Sequence, residues 1–183
     1  MASERYIENN VIRNRDDFGY SDSLYIRRCR MGLGYGAADL VLLPMRGPHR
    51  LVIVEAKLGH SQDAAAKVVG QLLMYYAGAQ QFGARGLRLL REFASANDRR
   101  ARSQTPKTLK TLSGGISPRE AAWRELQKGR KLRPDQIRLF IALNGEPSLS
   151  LKSSLSILAS QHALLIEVLS VVGVDRLVVW SPV

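Results

Sequence analysis

The chain has 183 residues, 45% of them hydrophobic, and 27 basic residues against 16 acidic ones give it a formal net charge of +11. That length is one domain's worth of chain with an ordinary core, and the excess of cations points to a polyanionic partner. The lone cysteine, Cys29, excludes an internal disulfide and a cysteine-built metal centre.

The opening segment MASERYIENN has no apolar stretch of the signal-peptide kind, so a cytoplasmic protein is expected. No apolar run reaches membrane-spanning length, since the longest, residues 163–174, is interrupted by Glu167. No basic amphipathic helix speaks for a membrane surface, so no membrane partner is expected.

Taken in order, residues 3–13 predict a helix capped by Ser3, with Tyr6, Ile7, Asn10 and Val11 inward. A polar turn around Gly19 follows, then a strand over 24–31 flanked by Arg27, Arg28 and Arg30. Gly32, Gly34 and Gly36 make a tight connection into the next stretch. There, two apolar runs, residues 37–43 and 51–57, are separated by Pro44, Gly47 and Pro48 and predict a hairpin. The second run, LVIVEAK, is apolar on both faces until its end, which predicts a central strand covered on both sides. Residues 64–82 predict a long helix that stacks Gln71 and Tyr75, four apart, on one side. Residues 83–86 should break it, and 87–94 form a short segment apolar on one side.

From 97 to 133 the composition changes, with eleven basic residues against three acidic ones. A helix start at Ser117–Pro118 leads into a predicted helix over 121–128, with Trp123 facing the body. Residues 136–144 then predict a central strand, 148–162 a helix, and 163–172 and 176–180 two further strands. The sum is an α/β fold, a mixed central sheet with helices on both faces, in a single domain over 1–183 with a basic insert at about 97–133.

The chemistry gathers in the hairpin. Asp39 heads one strand and Glu55 and Lys57 end the next, where antiparallel pairing brings the carboxylates together. A buried charge is costly unless it is paired or holds a metal, and an isolated Glu–Lys pair at a sheet rim is the plain alternative. Two carboxylates on adjacent strands, with the carbonyl of Ala56, suit Mg²⁺, which takes oxygen ligands from carboxylates, water and phosphate. Lys57 would then orient or help to deprotonate water, or offset charge on a phosphoryl group. His60 lies close enough in sequence to touch a substrate phosphate or carry a proton, although a loop histidine is more often simply solvated.

Asp39 followed by Glu55-Ala56-Lys57 on the next strand resembles the PD-(D/E)XK nuclease superfamily. Gln71 to Tyr75 is similar to the Q-x-x-x-Y helix of its RecB-like and mismatch-endonuclease branches, and the glycines before Asp39 match the habit of those branches. Ala38 stands where the proline of the family name would be.

The resemblance implies a restriction-endonuclease-like core and Mg²⁺-dependent hydrolysis of DNA, with Mn²⁺ able to substitute and RNA left open. It implies catalytic Asp39, Glu55, Lys57 and Gln71, and metal ligation by Asp39, Glu55 and Ala56. Glu8 of the first helix, Tyr75 and His60 would stand behind them. Arg99, Arg100, Arg102, Lys107, Lys110, Arg124, Lys128, Arg130 and Lys131 of the insert would neutralise the phosphate backbone. Two alternatives remain: a junction-resolving nuclease acting as a homodimer, and a nuclease-fold module that binds nucleic acid or protein without cleaving.

Overall fold

A computed structural model describes residues 3–32, 34–58, 62–98, 125, 127–173 and 176–182. Helix α1 (Glu4–Arg13) starts at Ser3, whose side chain accepts from the Tyr6 amide, and it buries Ile7, Glu8, Asn10 and Val11. A 3₁₀ turn (Arg15–Phe18) ends on Gly19 in the left-handed region, φ 85°. Strands β1 (Leu24–Arg30), β2 (Ala37–Leu43) and β3 (Leu51–Lys57) follow. Helices α2 (Gln62–Ala79) and α3 (Ala84–Asp98) precede β4 (Ile137–Asn144), α4 (Leu149–His162), β5 (Ile166–Val172) and β6 (Arg176–Trp180).

The six strands form one mixed sheet in chain order, β1-β2-β3-β4-β5-β6. The β3–β4 and β4–β5 pairs are parallel and the other three antiparallel. Parallel neighbours need a crossover, and α2 and α4 supply the helical bodies of the two. The fold is therefore the expected α/β sheet with helices on both faces. On one face α2, α3 and α4 cover Val41, Ile53, Leu139 and Val168 with Val68, Leu72, Leu90 and Leu155. On the other, Ile7 and Val11 of α1 meet Leu40, Val52, Val54 and Phe140. β3 is buried on both faces up to Ala56, as its sequence predicts.

Several boundaries differ from the sequence reading. The long helix breaks as expected, but earlier than residues 83–86: α2 ends at Ala79 and α3 begins at Ala84, takes Gly86 inside it and ends only at Asp98. Gly83 makes this tight entry possible, because a Cβ there would lie 1.9 Å from the Lys128 carbonyl oxygen. Residues 127–130 are turn and bend, so no helix runs through to Lys128, and Gly129 turns the chain at φ 95°. The start at Ser117–Pro118 and Trp123 lie outside the described residues. β5 starts at Ile166 because Ala163, at φ 50°, closes α4 first. Glu167, buried in β5, is ion-paired with Arg138 of β4.

A kink at Arg28 bears on the hairpin. The β1–β2 register runs from Leu24↔Leu43 to Arg27↔Leu40 and resumes at Cys29↔Ala38, and Arg28 sits at φ 48°. Cys29 and Ala38 thus join the same apolar cluster as Ile26 and Val41, an odd step that regular alternation does not allow. Asp39 stands opposite this kink.

Two glycines of α2 predict opposite outcomes. A Cβ at Gly78 would lie 2.1 Å from the Met31 carbonyl oxygen, whereas nothing stands within 4 Å of one at Gly70. Gly78→Ala should cost about 1–3 kcal/mol or more by overpacking. Gly70→Ala should stabilise by about 0.5–1 kcal/mol through helix propensity. Denaturant unfolding of the two variants measures both.

Candidate active site

The β2–β3 ladder stops at Leu40↔Val54, one pair before Asp39 and Glu55. Beyond it the two carboxylates take over from the backbone. Oδ2 of Asp39 accepts from the Ala56 amide at 3.0 Å, and Oε2 of Glu55 accepts from the Asp39 amide at 3.4 Å. Each strand end is thus held by the other's acid. Glu55 is only 2% exposed, and Nζ of Lys57 lies 3.1 Å from its Oε1.

Burial, followed by the nearby negative charge of Asp39, pushes the Glu55 carboxyl up to about 7, against the pull of Lys57. For Lys57 burial works to lower the pKa, but Glu55, Glu4 and Asp39 together hold it above its ordinary value. The ammonium stays charged, clasped between Glu55 and Oε1 of Glu4 at 3.4 Å.

Helix α2 closes the third side. The Tyr75 hydroxyl donates to the Ala37 carbonyl at 3.1 Å, pinning the start of β2 to the helix. Burial first, then the charges of Glu55 and Asp39, push this phenol up to about 12, and Gln71 hydrogen-bonds it from the same helix. The Gln71 Oε1 is buried and has no hydrogen-bond partner among the described residues. Gly36, at φ 83°, has to be small as well as left-handed, since a Cβ there would meet Cε1 of Tyr75 at 3.1 Å.

The structure therefore brings together Asp39, Glu55, Ala56, Lys57, Gln71 and Tyr75. Glu8 is buried on α1 in an ion pair with Arg27, with Arg5 at 3.4 Å. The α1 carboxylate that meets Lys57 is Glu4, one turn earlier. Its signal in the sequence was its place in the first turn, four residues before Glu8 on the same helical face.

His60, Arg99, Arg100, Arg102, Lys107, Lys110 and Arg124 lie outside the described residues. Lys128 is engaged by Glu125 at 2.6 Å. Lys131 donates to the carbonyls of Gln81 and Gln127, each at 2.7 Å, so it fixes the chain that carries it. Arg130 is exposed.

The donor set fits a hard divalent cation: two carboxylates and the Ala56 carbonyl are oxygen ligands, and added positive charge would relieve the raised Glu55. Among the described residues no group of three or more His, Cys, Asp or Glu side chains is arranged to hold a metal. Such an ion would therefore rest on this pair, the carbonyl, water and substrate oxygens. No protein-family model, curated protein or solved structure matches this chain.

The Glu55 shift has a testable sign. Its folded pKa is raised above the unfolded one, so its contribution to stability is fully present below about pH 4.5 and is lost as pH rises to about 7. Glu55→Gln should therefore match the wild type in acid and exceed it at pH 8 by on the order of 1–3 kcal/mol. Melting temperatures of both proteins between pH 4 and pH 8, in metal-free buffer, read this out.

Proposed function

We propose that the chain hydrolyses phosphodiester bonds of nucleic acid, DNA foremost, with the help of a divalent cation, in the manner of the PD-(D/E)XK nucleases. The observation that carries the reading is the reciprocal hold of Asp39 and Glu55 across a parted strand pair, with Lys57 at 3.1 Å from Glu55. A sheet that needed only stability would end this strand pair with apolar side chains, because a buried ion pair is seldom worth its desolvation. Three titratable groups gathered here, one of them raised to about 7, support the reading of a working site.

Asp39, Glu55 and the Ala56 carbonyl would hold Mg²⁺, with Mn²⁺ as a substitute; the ion supplies Lewis-acid charge at phosphoryl oxygens and lowers the pKa of water. An ammonium kept above its ordinary pKa is a poor base at neutral pH. Lys57 accordingly acts as a donor that orients water and offsets negative charge growing on the phosphoryl group. Gln71, with a buried Oε1 that has no partner among the described residues, offers an acceptor to the same water. Tyr75 stays protonated and holds the Ala37 end of β2 in place. The cations of residues 97–133 supply backbone contacts that do not depend on sequence.

Lys57→Ala should lower the single-turnover rate on labelled DNA by roughly 10²–10⁴-fold, as loss of one charge-stabilising donor does. Asp39→Ala should abolish cleavage while binding in EDTA persists. A panel of duplex, flap, junction and RNA substrates with Mg²⁺, Mn²⁺ or EDTA measures both. Cleavage retained by both variants would sink the assignment.

A further inference from the structure

At the other end of β3 the sheet carries a cavity of about 290 Å³. Arg50, Arg91, Arg130, Lys131 and Arg133 line it, and no acidic residue does among the described residues. Arg50 precedes β3, whereas Glu55 lies near its far end, so the two sites stand about 17 Å apart along the strand at ~3.3 Å per residue. Concave sites of a few hundred Å³ hold small ligands or one segment of a larger one.

The cations have different standing. Arg133 is neutralised by Asp135 at 2.9 Å, and Lys131 is occupied by the Gln81 and Gln127 carbonyls. Among the described residues Arg91 is anchored by a bond to the Pro44 carbonyl at 2.9 Å, and its buried Nε has no partner. Burial, then the neighbouring Arg50, lowers the Arg91 pKa, so the two guanidiniums feel each other, and no acidic residue among the described residues lines the space they share. Ala84 also lines the space, which sets the N-terminus of the 15-residue helix α3, the positive end of its dipole, against the same volume. Leu87 and Leu132 add apolar wall.

Like charges gathered around a concave space cost free energy that a bound dianion returns. Guanidiniums grip phosphate through paired N–H donors, and an apolar wall suits a sugar or base attached to it. We infer that this cavity is a second, non-catalytic binding site for a phosphate group, held chiefly by Arg50, Arg91 and Arg130. The phosphate belongs either to a nucleic-acid strand running beyond the carboxylates or to a free phosphorylated compound. The inference does not rest on the hydrolytic reading, since binding alone tests it.

The experiment is calorimetric titration with pyrophosphate, and separately with a 20-nucleotide duplex, in EDTA. It uses the wild type, the double variant Arg50→Ala/Arg130→Ala, and a control of equal charge loss, Lys152→Ala/Arg176→Ala. Both pairs change exposed or half-exposed side chains, and unfolding midpoints check that each variant is folded.

The cavity variant should weaken pyrophosphate or duplex binding by about tenfold or more, as loss of charge-assisted hydrogen bonds does, and the control should leave it unchanged. Pyrophosphate displaced by duplex identifies nucleic acid as the source of the phosphate. Pyrophosphate bound independently of duplex identifies a free phosphorylated compound. Equal weakening in the control, or wild-type binding of both ligands by the cavity variant, overturns the inference, whatever the cleavage assay of Lys57→Ala and Asp39→Ala returns.

Discussion

The candidate site depends on where one ladder of hydrogen bonds stops. β2 and β3 pair as far as Leu40 and Val54, and at the next position backbone gives way to carboxylate on both strands. Had the ladder continued, Asp39 and Glu55 would be two acids forced together on one face with nothing to accept. By taking the Ala56 and Asp39 amides they satisfy donors that would otherwise be buried and unpaired. The same step leaves negative charge concentrated at a strand end. Lys57 offsets part of it, which is why Glu55 can be nearly inaccessible to solvent and still have a charged partner.

The surrounding elements keep the strands parted. The kink at Arg28 breaks the regular alternation of β1 and β2 opposite Asp39. Tyr75 grips the Ala37 carbonyl from α2, over a glycine that lets the ring approach. Gly78, against the Met31 carbonyl, keeps the same helix close to the end of β1. On the opposite face α1 brings Glu4 to Lys57. Each of these positions serves the geometry of one strand pair as much as it serves the packing of the core.

The heart of this arrangement could be read in the sequence because its rules are short-range. Two apolar runs with a turn between them fix a hairpin, and a period of two places Asp39 opposite Glu55. A spacing of four places Gln71 with Tyr75. Glu4 could not be read as a partner of Lys57, because it shares a helical face with Glu8. What separates them is Arg27, a long-range partner that claims Glu8. The start of α3 is hidden for a related reason: Gly83 and Gly86 look alike in sequence, and the close approach of the Lys128 carbonyl that singles out Gly83 is a long-range contact. The cavity was invisible because Arg50, Arg91 and Arg130 come from three separate stretches that only the folded sheet unites.

Helix α1 leans on β3, β4, β5 and β6. The Tyr6 hydroxyl donates to the Gly173 carbonyl at 3.1 Å, and the Leu177 amide donates to Oδ2 of Asp17 at 2.9 Å. The first helix and its following turn are therefore fastened to the last hairpin of the sheet. During synthesis on a ribosome, a chain that has emerged only as far as β3 already contains Asp39, Glu55 and Lys57, but only the β2 and β3 part of the surface on which α1 docks. The bonds of Tyr6 and Asp17 that fasten α1 and its following turn wait for the last hairpin. A partly made chain thus carries Asp39, Glu55 and Lys57 before the fastening of α1 is complete.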